Sequence, residues 1–264
     1  MRDVNLGRSL ENDYICTLSA AANILKLREK WKSGRPERLL QAADIIHREN
    51  MDNNHSETAA LVAGKLLEIG AVLLRPSQPF TWASGWHSPI YCDNRRILSY
   101  PELRSLVAAS LAQRAKELFP EAQVAAGVAT GAIAHGALAA DRMGMPFVYV
   151  RPKPKDHGTG SQIEGILEPG TKVVVIEDLI STGMSSLAAV DALRKAGAEV
   201  LGMVAIFTYG FDLAAQRFAE EGVSLSTLSD YSSLVKEAAR TGYVTPDQLE
   251  VLSQWRKNPS EWGK

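Results

Sequence analysis

The sequence predicts an α/β protein built on a doubly wound parallel sheet. Short apolar runs alternate with segments of helix length along the second half of the chain, which is typical of βαβ units that share one sheet. The run from Val173 to Ile176 is continuous and β-branched, as expected for a parallel strand covered on both faces. This strand leads into a loop of small residues and then a helix, over Lys172 to Ser186. Strand-to-helix loops of such sheets are where ligands bind.

Length and composition set further bounds. The chain has 264 residues, which is long enough to bury a hydrophobic core. Its net charge is -1, so it has no overall electrostatic field that would favour binding to nucleic acid or to an anionic membrane. The two cysteines, Cys16 and Cys92, have no second Cys or His at metal-ligand spacing, so we expect reduced thiols and a cytoplasmic location. No apolar run approaches the roughly 18 residues of a membrane span. We therefore expect no membrane partner and no nucleic-acid partner.

The first 55 residues are predicted to form a helical or poorly ordered extension. Ala20–Lys32 and Pro36–Glu49 have the pattern of amphipathic helices, and a polar string follows them with the composition of a linker. We therefore expect residues 56–264 to form the main domain.

The remaining elements follow in chain order. From Ser56 the apolar pattern predicts a helix that ends at Gly70, and Phe80–Asp93 then has the alternation and central turn of a hairpin. Trp82 and Trp86 flank that turn, and we expect them to pack in the core. The predicted strands are Ala71–Leu74, Gln123–Val128, Pro146–Val150, Lys172–Ile176, Glu199–Phe207 and Val223–Leu228. The predicted helices are Leu98–Leu118, Gly131–Met143, Gly183–Ala196, Leu213–Glu221 and two within Tyr231–Trp255 that cover a sheet edge or the hairpin.

The strand-loop-helix segment is the first candidate site. Glu177 and Asp178 follow the buried strand, and two carboxylates there would be costly unless they project into a solvent-filled crevice. The following residues, Ser181 to Ser185, offer hydroxyls, a glycine and backbone N–H groups at a helix start, which is a cradle for phosphate. An ordinary turn with Ser181 or Thr182 as the helix cap is the alternative.

The second candidate site is the basic loop from Arg151 to Gln162. Because it is rich in Gly and Pro and cannot bury a core, we expect it on the surface. It begins at the carboxyl end of a predicted strand, beside the phosphate cradle, and its Arg151, Lys155 and His157 supply the donors that a pyrophosphate needs. A solvated loop without a specific role is the alternative.

Three segments of the chain resemble one known family in their order and spacing. The segments FTWASGWHSPIYCDNR, YVRPKPKDHGTGSQIEG and VVVIEDLISTGMS resemble the orotate phosphoribosyltransferases, over roughly Ser56 to Pro259. The last segment is similar to the phosphoribosyl-pyrophosphate (PRPP) motif of type I phosphoribosyltransferases. The resemblance implies the type I phosphoribosyltransferase fold, with a small N-terminal hood. It also implies the pentosyl transfer from PRPP to N1 of orotate that yields orotidine 5′-monophosphate in UMP synthesis.

The resemblance further implies roles for individual residues. Glu177 and Asp178 would accept hydrogen bonds from the ribose hydroxyls, and Lys155 and Asp178 would be the catalytic residues. The loop residues Arg151, Lys155 and His157 would close over the pyrophosphate. The residues expected to wrap the 5′-phosphate are Leu179, Ile180, Ser181, Thr182, Gly183, Met184 and Ser185, with Ser181 also beside orotate.

The cofactor and the assembly are likewise implied by the resemblance. Mg²⁺ would be bound mainly through PRPP, with no direct protein ligand, as suits an ion that keeps its waters. The hairpin around Ser88 to Tyr91 would form a hood over the base. The chain would be a homodimer in which the loop from Arg151 to Gln162 of one subunit reaches the partner's phosphate site. Few residues follow the region of resemblance, so we expect no fused orotidylate decarboxylase.

Two other functions stay open on the sequence alone. A purine phosphoribosyltransferase would share the same core, and a PRPP-sensing regulator would keep the sugar-phosphate site but bind nucleic acid through a broad basic face. Because one scaffold hosts all three functions, the fold does not decide between them. The hairpin and the segment from Gln162 to Gly165 favour orotate by resemblance.

Overall fold

The first described elements are a helix and two small antiparallel strand pairs. The structure, a computed structural model, describes residues 55–82, 84–153 and 161–263. Residues 55–68 are helical (α1), and Gly70 follows at a φ of 66°, which confirms the predicted helix end. The predicted hairpin is a nested arrangement, in which an inner pair surrounds the turn at Gly85 and an outer pair encloses it. The strands are β1 (Val72–Leu74), β2 (Phe80–Thr81), β3 (His87–Ser88) and β4 (Ile90–Cys92), with β1 paired to β4 and β2 to β3.

The central sheet has six strands among the residues that the structure describes. They are β5 (Val124–Val128), β6 (Phe147–Val150), β7 (Ile163–Glu164), β8 (Lys172–Ile180), β9 (Glu199–Thr208) and β10 (Leu225–Asp230). The order is β10-β9-β8-β5-β6-β7, and all described neighbours are parallel except β7, which runs antiparallel to β6. The two-residue β7 was not predicted, because so short a segment has no pattern of its own.

Strand β8 extends further than predicted. We expected it to end at Ile176, but the ladder to β9 continues through Leu179 and Ile180, which pair with Phe207 and Thr208. Glu177 and Asp178 therefore lie within the strand rather than beyond its end, because the apolar pair after them restores the pairing with β9.

Helices cover both faces of the sheet, which confirms the doubly wound prediction. They are α2 (Pro101–Leu118), α3 (Ala132–Met143), α4 (Met184–Lys195), α5 (Asp212–Glu220), α6 (Tyr231–Arg240) and α7 (Pro246–Lys257). Val174 and Ile176 of β8 face one core, which includes residues of α1, α2 and α3. Val173 and Val175 face a second core with residues of α4 and α5. Successive residues of β8 thus enter opposite cores, as the twofold period of a strand requires.

The entry to α2 differs from the prediction. We expected one helix from Leu98, but a 3-10 helix spans Asn94–Ser99 and α2 begins only at Pro101. Tyr100 between them is extended, as proline disfavours helical geometry in the residue before it.

The last two helices occupy both of the expected places, because α6 contacts the edge strand β10 and α7 packs against the hairpin region. Trp255 of α7 is fully buried, and its ring lies 5.9 Å from that of Trp82. The indole N–H of Trp255 donates to the carbonyl oxygen of His87 at 3.3 Å. Trp82 and Trp86 join Tyr209 and Phe211 in this aromatic cluster and, partly buried, pack against the core as predicted.

Part of the sequence prediction falls outside the described residues. This applies to the predicted helices Ala20–Lys32 and Pro36–Glu49, and to Lys155 and His157 in the basic loop. Of the helices that the structure describes, none combines the length and the apolar character needed to cross a membrane.

Candidate active site

A pocket of about 510 Å³ lies where β8 meets the loop that follows it. The loops after β5 and β8 meet at this edge, because neighbouring parallel strands have their carboxyl ends on the same side. The end of β4 and the start of the 3-10 helix complete the pocket. Its lining comprises Cys92, Asp93, Arg95 and residues 128–131, 177–179 and 181–185.

Gly183 shapes the loop between β8 and α4. Its φ is 80°, and a Cβ atom at this position would lie 3.0 Å from the ring of Phe218, so a side chain would be strained. Gly183 is also the residue that precedes α4, and it makes no side-chain capping bond. The backbone N–H groups of the first helical turn are thus left for another acceptor, and such groups bind anions well. Residues 181–185 have the geometry of an anion site.

Arg217 of α5 supports the same loop from outside the pocket. Its Nη1 donates to the carbonyl oxygen of Thr182 at 2.9 Å, in a partly buried position. A charge-assisted bond of this kind is stronger than a neutral one and restrains the loop. Arg217 was not predicted from the sequence, because an arginine on an ordinary amphipathic helix carries no signal of such a contact.

The two acidic residues of β8 have different environments. Glu177 is only 4% exposed, and its carboxylate accepts hydrogen bonds from the Ser186 hydroxyl at 2.8 Å and the Asp178 backbone N–H at 2.9 Å. Burial raises the pKa of Glu177 well above its usual range, and the charge of Asp178 acts in the same direction. We expected both carboxylates to project into the crevice. Glu177 belongs to the pocket lining, but it is nearly buried and both of its oxygens already accept hydrogen bonds within the protein.

Asp178 is the more open of the two carboxylates. Its side chain is half-buried and lies directly over Gly131 in the loop between β5 and α3. A Cβ atom on Gly131 would come within 2.4 Å of the Asp178 carboxyl group, so only glycine leaves room for it. Asp178 can therefore accept hydrogen bonds from a ligand in the pocket.

The pocket wall formed by the end of β4 and the residues after it was not predicted as part of the site. Oδ1 of Asp93 accepts from Nε of Arg95 at 2.6 Å, and this bond lowers the pKa of Asp93. Burial raises the pKa of the Cys92 thiol, and the nearby carboxylates of Asp178 and Asp93 raise it further, so the thiol stays neutral. The sequence signal that could have indicated this wall is the run of polar residues that directly follows β4.

Some residues that were predicted for the hood and for phosphate binding do not line the pocket. The Ser88 hydroxyl donates to the carbonyl oxygen of Ile90 at 2.9 Å, whereas Tyr91 is 41% exposed. Ile180 is fully buried, and its carbonyl oxygen accepts from the backbone N–H of Tyr209 at 3.1 Å. The other residues predicted between 177 and 185 all belong to the lining.

The described ends of the basic loop approach each other. The backbone N–H of Arg151 donates to the carbonyl oxygen of Gln162 at 2.8 Å, and the Gln162 side chain returns a bond to the Arg151 carbonyl. The guanidinium of Arg151 lies 3.7 Å from the Glu164 carboxylate and is not part of the pocket lining. The loop therefore leaves and rejoins the sheet at β6 and β7, next to the loop after β5.

Comparisons with known proteins agree with this arrangement. The model of the phosphoribosyl transferase domain family matches residues 93–230. An orotate phosphoribosyltransferase of Porphyromonas gingivalis is 57% identical over 203 residues, which cover 77% of this chain and 97% of that protein. One from Cytophaga hutchinsonii is 55% identical over the same shares of both chains.

Solved structures of the same kind are also similar. The orotate phosphoribosyltransferase of Aeropyrum pernix aligns with a TM-score of 0.61 and 31% identity, over 70% of this chain and 99% of that one. A Mycobacterium tuberculosis orotate phosphoribosyltransferase in complex with PRPP aligns with a TM-score of 0.53 and 25% identity, over 67% of this chain and 98% of that one.

Proposed function

The chain belongs to the orotate phosphoribosyltransferase family, and we propose that its pocket transfers the 5-phosphoribosyl group of PRPP to N1 of orotate. The products are orotidine 5′-monophosphate and diphosphate, a step of de novo pyrimidine (UMP) synthesis. The observation that carries the proposal is the open carboxylate of Asp178 beside the helix-start loop of residues 181–185. A sugar hydroxyl needs an acceptor and a phosphate needs N–H donors, and this pocket offers both.

The phosphoribosyl end of PRPP is assigned to β8 and its loop. The N–H groups of residues 179–185 bind the 5′-phosphate, with Ile180 contributing at most through its backbone because its side chain is buried. Asp178 accepts from the ribose hydroxyls. Glu177 is a nearly buried residue of the pocket lining, and its bond to Ser186 holds it beside Asp178, where it is assigned to the same ribose hydroxyls.

The diphosphate end and the base are assigned by family resemblance. Lys155, Arg151 and His157 close over the diphosphate and neutralise its charge while the bond to C1′ breaks. Ser181 lies on the pocket wall and is assigned to orotate. The hood residues before Cys92 cover the base.

We assign Mg²⁺ as a cofactor that enters with PRPP. The described residues contain no group of three or more His, Cys, Asp or Glu side chains able to hold a metal ion. The half-buried carboxylates of Asp178 and Asp93 reach the pocket and could meet a hydrated ion. Because Mg²⁺ keeps several waters and binds few carboxylates beside substrate phosphates, this donor set fits it. When bound, Mg²⁺ neutralises charge on the leaving diphosphate.

We also propose an assembly, a location and a division of the chain. The chain is assigned as a cytoplasmic homodimer that shares the loop 151–162 between subunits, with residues 56–264 as the transferase domain and residues 1–55 as an extension. The buried, neutral thiol of Cys92 is compatible with a reducing compartment.

Orotate turnover separates this function from its alternatives. In an assay with PRPP and Mg²⁺, we expect consumption of orotate and none of adenine, guanine, hypoxanthine or uracil, and chelation of Mg²⁺ should abolish turnover. Purine turnover without orotate turnover would assign the chain to a purine enzyme. Binding of PRPP without turnover of any base would favour a PRPP-sensing regulator.

A further inference from the structure

Asn94 is a fully buried amide where three elements meet. Its Nδ2 donates to the carbonyl oxygen of Asp178 in β8 at 2.5 Å, and its Oδ1 accepts from the Cys92 thiol at 3.4 Å. The carbonyl oxygen of Asn94 lies 3.3 Å from Nε2 of His135 in α3. The residue thus joins the end of the hood strand β4, the acidic end of β8 and the helix after the β5 loop.

Hydrogen-bond chemistry fixes the orientation of this network. A carbonyl oxygen faces the Asn94 side chain from Asp178, so the atom directed at it must be the amide nitrogen. Nε2 of His135 also faces a carbonyl oxygen and must carry a proton in that contact. No buried side-chain nitrogen or oxygen in the described part of the chain lacks a partner. A network satisfied in this way has one low-energy arrangement.

The network acts directly on a pocket residue. The amide of Asn94 restrains the backbone of Asp178, whose side chain lies over Gly131 and lines the pocket. Asn94 is itself outside the lining, between the lining residues Asp93 and Arg95. A shift of its amide would therefore move the Asp178 carboxylate without removing any group that faces the ligand.

We infer that Asn94 is a positioning residue that sets the Asp178 carboxylate against the ribose of PRPP and ties it to the hood strand. The inference rests on the proposed function, in which Asp178 binds the ribose. If the Asp178 carboxylate moves out of hydrogen-bonding reach of the ribose, the Kd for PRPP should rise about tenfold or more, as for loss of a hydrogen bond to a charged group.

The substitution Asn94→Asp tests this role because its effect depends on protonation. The new side chain keeps the size and the acceptor for Cys92, but it cannot donate to the Asp178 carbonyl oxygen when ionised. A buried carboxyl takes up a proton above its usual pH range, and the protonated group can donate again. We expect the Kd for PRPP, relative to wild type at the same pH, to be raised about tenfold or more near pH 8 and to approach the wild-type value near pH 6.

Two further variants complete the test. Asn94→Ala lacks the donor at every pH, so its relative Kd should stay high throughout, and it decides the question if Asn94→Asp does not fold. Ser229→Ala is the matched control, because it removes a buried hydrogen bond to the Ala59 carbonyl oxygen outside the pocket. It should lower stability and leave the Kd unchanged.

The outcomes are distinguishable. A relative Kd near one for Asn94→Ala, or a raised value for Asn94→Asp that does not change with pH, would overturn the positioning role. Wild-type protein that fails to bind PRPP would instead remove the proposed function on which the inference rests.

Discussion

The Ser186 hydroxyl donates to Oε2 of Glu177 across 2.8 Å and ties the first turn of α4 to the inside of β8. The other carboxylate oxygen of Glu177 accepts from the Asp178 backbone N–H. The loop between these residues, which forms the candidate phosphate site, is therefore closed at its base by a buried carboxylate. Glu177 braces the loop from beneath.

Removing this brace should weaken both the fold and PRPP binding. Ser186→Ala leaves the buried Glu177 carboxylate with one donor fewer, which should lower the free energy of unfolding by about 1–3 kcal/mol. The KM for PRPP should rise several-fold, because the loop loses its anchor, while the KM for orotate changes less. Ser229→Ala should cost similar stability with no change in either KM. Equal KM values for Ser186→Ala and Ser229→Ala would show that the brace has no part in binding.

Arg217 provides the second support of the loop, and its loss should affect PRPP specifically. Arg217→Gln removes the charge-assisted bond to Thr182, so we expect the KM for PRPP to increase about tenfold with a smaller change in kcat. The matched control is Arg194→Gln on α4, because Arg194 bonds to Glu221 away from the pocket. Steady-state kinetics with varied PRPP check the prediction. It fails if both arginine variants behave alike.

His135 should make stability depend on pH. Burial lowers the pKa of His135 below its ordinary value of 6.5, although the Asp178 charge opposes the shift. The unfolded chain then binds a proton more readily than the folded one, so this contribution to stability is complete above the ordinary value and is lost as the pH falls through the lowered value. In His135→Gln, denaturant unfolding between about pH 5 and 8 should show a smaller loss of stability at acidic pH than wild type. Parallel pH profiles would contradict the prediction.

The sequence predicts the elements of this site better than it predicts their contacts. The apolar run of β8 and the small residues after it were sufficient to predict the strand and the loop that line the pocket, because both signals are local in sequence. The contacts of Arg217 with Thr182 and of Asn94 with Asp178 join residues 35 and 84 positions apart. No local pattern encodes such pairs.

The same limit explains the errors at element ends. Strand β8 continues past Glu177 and Asp178 because β9 offers Phe207 and Thr208 as ladder partners. The local sequence predicts a strand end at this point, because it contains two acidic residues and such residues are poor strand formers. Glu177 is buried together with a partner from the next helix, because the Ser186 hydroxyl in the first turn of α4 donates to its carboxylate.

The basic loop should act on the partner's site in the proposed dimer. Lys155→Ala alone should lower the rate about 10²- to 10³-fold, as for the loss of one preorganised donor. Asp178→Ala should also be inactive, because it removes the ribose acceptor. When the two variants are unfolded together and refolded in equal amounts, random pairing makes about half of the dimers hybrids.

Recovered activity reports how the loop is shared. If the loop acts in trans, one site of each hybrid has an intact Asp178 and the partner's intact Lys155, so about one quarter of wild-type activity should return. If the loop serves its own subunit, every site keeps a defect. Activity no greater than that of the separate variants, with hybrids verified by differential tags, would exclude sharing.

The most direct test of the proposed site is a calorimetric titration of Mg²⁺-PRPP into wild type and Asp178→Asn. Asp178→Asn keeps the size of the side chain while removing the charged acceptor that lines the pocket. Asp191→Asn is the control, because Asp191 pairs with Lys195 on the exposed face of α4. We expect wild-type affinity for Asp191→Asn and a loss of about tenfold or more for Asp178→Asn, as for removal of a hydrogen bond to a charged group. Equal PRPP affinity in all three proteins, with their folds intact, would contradict the assignment of this pocket.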